Sequence, residues 1–110
     1  MSPASFEVTV QSYPPGDEAA VSLVQVRGEV DVTNAARLPQ ALADLAASGL
    51  IVDLSQVGYF DSAGFAALDQ LLSEASVAVA VSPGSAVRAA MTLLQMPYYD
   101  SLDAAYAALR

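Results

Sequence analysis

Apolar and polar residues alternate from Phe6 through Gln11 (Phe-Glu-Val-Thr-Val-Gln), the two-residue period of a half-buried strand. Tyr13-Pro14-Pro15-Gly16-Asp17-Glu18 follows as a turn cluster, and Val21 to Val30 is a second, β-branched run interrupted late by Gly28. The two runs and their turn predict a hairpin. The period then changes. Leu38, Leu42 and Leu45 recur at helical spacing, with Thr33 or Asn34 offered as N-cap and Ser48-Gly49 as the stop. Pro39 lies inside this pattern, so the regular helix is expected to begin late. Leu50 to Leu54 is a short, nearly continuous apolar run, the pattern of a strand covered on both faces.

Beyond a polar break and the turn Asp61-Ser62-Ala63-Gly64, Phe65, Leu68, Leu72 and Ala75 predict a second amphipathic helix. Ser76 to Val81 reads as a strand of small and β-branched residues. Ser82-Pro83-Gly84-Ser85 opens a third helix with Val87, Met91 and Leu94 on one face. Pro97-Tyr98-Tyr99 is a candidate short edge strand, and Ser101 caps a terminal helix through Leu109. The order β-β-α-β-α-β-α-(β)-α predicts an α/β fold. Its sheet is mixed, with a mostly parallel core and an antiparallel first pair, packed with about four helices. With 110 residues and no linker or repeat, one domain spanning 1–110 is expected.

Composition narrows the chemistry. The formal net charge is -8, which disfavours phosphate backbones and anionic membrane surfaces and favours a basic protein partner. No window reaches the roughly 18 to 20 apolar residues of a membrane span, so no membrane insertion is expected. Met1 to Ser12 has no basic start or long apolar run, so a cytoplasmic protein is expected. There is no cysteine and no histidine, which removes disulfides, thiolate and imidazole metal sites, and a Ser-His-Asp triad within the chain. The acidic residues show no metal-ligand loop, and no cofactor is expected.

The serine of the Asp61-Ser62-Ala63-Gly64 turn has three readings. It can be a helix-cap feature, with Asp61 as N-cap and Ser62 in the first turn. It can be a nucleophile. Yet all four basic residues are arginines, which cannot act as a base, and Phe60 occupies the place where a nucleophile elbow wants glycine. It can also be a phosphorylation switch. Phosphate would add about -1.5 to -2 charges at a helix N-terminus, whose N–H groups and dipole can hold it. The cap leaves Gly64 unexplained, because glycine inside a helix is mildly costly. In the switch reading, Ala63 and Gly64 let a partner approach the backbone closely. Tyr98-Tyr99 reads as strand-edge packing and Arg88 as a solvated charge.

Val52-Asp53-Leu54-Ser55 followed by Phe60-Asp61-Ser62-Ala63-Gly64 resembles the signature of STAS domains, the fold of bacterial anti-sigma factor antagonists. Arg27-Gly28-Glu29-Val30-Asp31, Ser82 to Arg88, and Ser101-Leu102-Asp103 with Ala105 resemble further family segments, so the likeness spans nearly the whole chain. It departs after the second helix and after Leu94, where this chain is shorter. The resemblance implies a binding module and not an enzyme. Ser62 would be phosphorylated by a partner that is both anti-sigma factor and serine kinase, and reset by a phosphatase. Asp31, Asp61, Ala63 and Gly64 would stand with Ser62 at the partner-binding site. A constitutive STAS adaptor of an ABC-type lipid-transport complex, with no phosphorylation cycle, is the alternative.

Overall fold

The structure is a computed structural model that describes residues 4–46, 48–73 and 76–109. Strands β1 (Phe6–Tyr13) and β2 (Val21–Val30) form the hairpin, paired antiparallel from Phe6↔Gly28 to Tyr13↔Val21. Helix α1 (Arg37–Ala46) crosses to β3 (Leu50–Phe60), which lies parallel to β2. Helix α2 (Ser62–Leu72) crosses to β4 (Val77–Ala80), parallel to β3. Helices α3 (Arg88–Leu93) and α4 (Leu102–Ala108) follow, and the sheet order is β1-β2-β3-β4. The mixed sheet with four helices is the architecture that the alternating periods predict.

Two apolar layers hold the sheet. On one face, Leu38 and Leu42 of α1, Leu68 and Leu71 of α2, and Met91 of α3 pack on Val24, Val26, Leu50, Val52 and Leu54. On the other, α4 sets Ala105 and Tyr106 against Leu23, Ile51, Ala78 and Ala80. The Tyr106 hydroxyl donates to Ala19 O at 3.1 Å and the Tyr13 hydroxyl donates to Asp103, so the α4 side is tied to the β1–β2 turn.

Several boundaries differ from expectation. β3 does not stop at Leu54; it runs to Phe60, through the polar Ser55, Gln56 and Tyr59. Two register shifts, between Gln25 and Arg27 and between Gly28 and Glu29, let β2 keep pairing with this irregular half. Helix α1 begins at Arg37, so neither Thr33 nor Asn34 is its N-cap, and Pro39 falls in its first turn, where no intrahelical N–H is needed. The Ser82–Ser85 segment is a turn preceding α3, whose N-cap position is Val87. Val87 and Met91 are buried as expected, but Leu94 is 55% exposed because the helix ends at Leu93 and Gln95 turns into the left-handed region. Pro97-Tyr98-Tyr99 shrinks to a single parallel bridge, Ala80↔Tyr99. Ala75 lies outside the described residues.

Arg88 is not a solvated charge. Its guanidinium pairs with Asp100 at 2.7 Å, donates to Val81 O at 3.2 Å and lies 5.0 Å from the centre of the Tyr98 ring. It stitches α3 to the segment that returns to β4, which gives Tyr98 its packing role.

Candidate functional site

Parallel β2 and β3 end level with one another, Val30 opposite Phe60. The segments leaving them, Asp31 to Ala36 and the mouth of α2, therefore emerge side by side at the carboxyl rim of the sheet. Parallel α/β sheets usually place their sites at this rim.

Asp61 joins the two segments. It is the N-cap of α2, in extended backbone, and its Oδ1 accepts from the Gly64 N–H at 3.1 Å. Its Oδ2 accepts from the Val32 N–H at 3.2 Å, across to the neighbouring segment. Its own N–H donates to Val30 O at 3.2 Å. One short side chain thus satisfies an orphan donor of the helix and fixes the adjacent turn.

That turn is built by Asp31 and Asn34. Asp31 Oδ1 accepts from the Thr33 N–H at 2.8 Å and from the Thr33 hydroxyl at 2.5 Å. Buried Asn34 accepts the Asp31 N–H at 3.0 Å and donates to Glu29 O at 3.0 Å. The local Asx geometry competes with helix, which is why α1 starts three residues later. Asn34 and Val32 drew no functional reading in the sequence. Asn34 is a turn staple, and Val32 is an apolar side chain left 77% exposed beside the α2 mouth.

Ser62 is the first residue of α2 and is exposed, and its side chain makes no hydrogen bond among the described residues. By position, the N–H groups of Ser62 and Ala63 have no intrahelical acceptor. A nucleophilic serine would need a base within reach, and the nearby hydrogen-bonded groups are the carboxylates of Asp31 and Asp61, both already accepting backbone N–H groups.

Gly64 receives the explanation that its sequence context lacks. It is buried, and a Cβ there would lie 3.2 Å from Phe60 Cγ, Val30 Cγ1 and Val30 O. The missing side chain lets α2 start directly on the ends of β2 and β3, with Phe60 and Phe65 edge to face at 5.2 Å. Ala63 is half-buried on the same core. Asp31, Asp61, Ser62, Ala63 and Gly64 therefore lie together, with Ser62 outward and Gly64 inward. The Val52-Asp53-Leu54-Ser55 run lies earlier on β3 and makes its bonds elsewhere. Buried Asp53 accepts from Ser55 N–H at 3.0 Å and Gln25 Nε2 at 3.3 Å, and Ser55 Oγ accepts from Ser82 N–H at 2.9 Å.

The cap has a measurable weight. Asp61→Ala is expected to destabilise the chain by about 1–2 kcal/mol, and Asp61→Asn by less, because asparagine can still cap Gly64 but sets an NH2 donor against the Val32 N–H. Urea denaturation followed by circular dichroism checks both. Equal losses would mean that the charge and the tie to Val32, not the cap on Gly64, are the contribution.

A rim of two carboxylate-stapled turns around an exposed helix-mouth serine, on a mixed sheet with helices on both faces, is a small α/β domain of a known kind. The model of the STAS domain matches residues 16–102, and the chain belongs to that family. Among solved structures, it is similar to an anti-sigma factor antagonist from Mycobacterium paratuberculosis. The two share 28% sequence identity with a TM-score of 0.76, over 96% of this chain and 95% of that one. No helix among the described residues is long and apolar enough to cross a membrane, and no group of three or more acidic residues there could hold a metal.

Proposed function

We propose that this chain is an anti-sigma factor antagonist. Its unphosphorylated form binds an anti-sigma factor that is also a serine kinase, and phosphorylation of Ser62 ends that binding. A phosphatase restores the binding form, and the cycle runs in the cytoplasm. The observation that carries the reading is the exposed, unengaged Ser62 hydroxyl at the α2 mouth, in a chain similar end to end to an antagonist of this class. The chemistry agrees. A phosphate at Ser62 would meet open N–H groups and the positive end of an 11-residue helix. It would also add about -1.5 to -2 charges beside Asp61 and Asp31, so the change is presented outward to whatever docks on the rim. Asp61 and Asp31 hold the two turns in register, Ala63 keeps the approach open, and Gly64 sets the depth of the helix. The chain acts by binding: it brings no imidazole, thiol or amine side chain to serve as catalyst.

Ser62→Asp is expected to weaken binding to the cognate anti-sigma factor by about tenfold or more, equivalent to about 1.4 kcal/mol. Ser62→Ala should bind normally and resist modification. Titration calorimetry measures the first, and intact-mass analysis after incubation with kinase and ATP the second. Phosphate on another residue, or on none with the genuine kinase, would sink the switch. Recovery of an ABC-type ATPase in place of a kinase would identify a constitutive adaptor subunit of a lipid-transport complex.

A further inference from the structure

An open groove of about 560 Å³ runs between α1 and α2, beginning beside the Ser62 turn. Its walls are Ala36 just before α1, Gln40 and Ala43 on α1, and Ala63, Ala66 and Gln70 on α2. We propose that this groove receives the apolar face of an amphipathic, basic helix from the protein partner. This rests on the reading of the α2 mouth as a partner-binding face and extends that face along the helices.

The walls favour a helix over a small molecule. Wall residues 36, 40 and 43, and 63, 66 and 70, repeat at i, i+3/i+4 and i+7, the spacing at which a docked helix presents its own anchors. They cover two turns, about 10 Å at 1.5 Å per residue. Small-molecule pockets are enclosed and bring convergent polar groups to bear; here the polar groups on the two wall helices are the Gln40 and Gln70 amides. Small side chains let a second backbone come close, and Val32, 77% exposed at the mouth, offers an apolar contact where the groove meets the Ser62 turn.

Charge selects the partner. Asp44 on α1 and Asp69 on α2 are exposed, and Asp31 and Asp61 stand at the mouth. The counter-charges lie elsewhere: Arg27 pairs with Glu7 at 3.8 Å and Arg88 with Asp100 at 2.7 Å. Among the described residues, Arg37 at the start of α1 is the only arginine on either wall helix. A second copy of a chain of net charge -8 would be repelled, whereas a lysine- or arginine-flanked helix gains attraction and a faster encounter.

The test uses the isotope-labelled full chain and an amphipathic peptide of leucine and lysine about five helical turns long, with a glutamate-for-lysine version as control. Expected are amide shifts on Ala36, Gln40, Ala43, Ala66 and Gln70 with the lysine peptide and none with the glutamate peptide. Ala43→Trp and Ala66→Trp, at exposed positions and checked for fold by circular dichroism, should each fill the groove and weaken binding about tenfold. Asp44→Lys with Asp69→Lys should weaken it severalfold. Shifts centred on exposed Leu93 and Leu94 or on β1, equal binding of both peptides, or self-association that protects the groove would each overturn the proposal. Groove binding without phosphorylation of Ser62 removes the switch and leaves the groove; phosphorylation without groove binding does the reverse.

Discussion

Gly28→Ala is expected to remove about 3 kcal/mol of stability, the larger of two glycine effects. Gly28 has φ +109°, and an added Cβ would sit 2.4 Å from Ser5 O and 3.0 Å from Phe6 Cα. Both neighbours are backbone, so no rotamer change relieves the overlap. Strained φ alone costs about 1–3 kcal/mol, and forced overpacking about as much again. The same carbonyl accepts the Glu29 N–H at 2.9 Å, so relief by movement of β1 breaks a sheet hydrogen bond. In a fold of about 5–15 kcal/mol total stability, the loss is a large share. Urea denaturation should show the midpoint falling by about 2 M, for a slope near 1.5 kcal/mol per molar. A midpoint shift under about 0.5 M would mean that β1 yields freely and adds little to stability.

Gly64→Val is the second, with an expected loss of about 2 kcal/mol. Three atoms lie 3.2 Å from the Cβ site, and one of them, Val30 O, also accepts the Asp61 N–H. Two further methyl groups must push α2 off the ends of β2 and β3, in the range of about 1–3 kcal/mol for overpacking. Gly64→Ala is the informative companion. Alanine gains about 1 kcal/mol in helix propensity, which offsets a contact a few tenths of an ångström too tight, so a near-neutral result is expected. A valine variant as stable as wild type would show that the helix mouth has slack and that Gly64 serves another purpose. The two variants also separate frame from surface. Gly64→Val should disturb partner binding by displacing Ser62, while Gly28→Ala, set into the β1 side, should leave the affinity of the folded fraction unchanged.

The elements legible in the sequence were those whose signal is local. The β1 run, the leucine spacing of α1, and the caps at Asp61 and Ser101 depend on near neighbours and form as expected, although the half-buried alternation of β1 lasts only through Val8, Val10 being 54% exposed. Ser101 accepts from Ala104 N–H at 3.1 Å, as its position before an apolar run implied. The far half of β3 was illegible because Ser55, Gln56, Gly58 and Tyr59 read as a loop. They become strand only through bulged pairing with β2, some thirty positions back in the chain. The site divides the same way. Asp61 and Ser62 announce themselves by cap chemistry. The reason for Gly64 lies in Val30 and Phe60, the tie from Asp61 to Val32 spans 29 positions, and the groove exists only when two helices meet. Arg88 looked solvated because Asp100 and Tyr98 reach it by the return of the chain, not by helical spacing.

The two register shifts in β2–β3 have a consequence for engineering. Between Leu50 and Phe60, β3 uses two residues more than β2 uses between Ser22 and Val30. Those residues work as a vernier: they decide how far the third strand has advanced when it reaches the rim. Deleting the extra residue at either shift would leave a regular pair there, with Phe60 still opposite Val30 and facing the same core, and would remove the local bend and twist of the bulge. Deleting both, one at each shift, would straighten the strand and shorten the path. The height of the serine above the sheet is thus set inside a strand and not only in the loops.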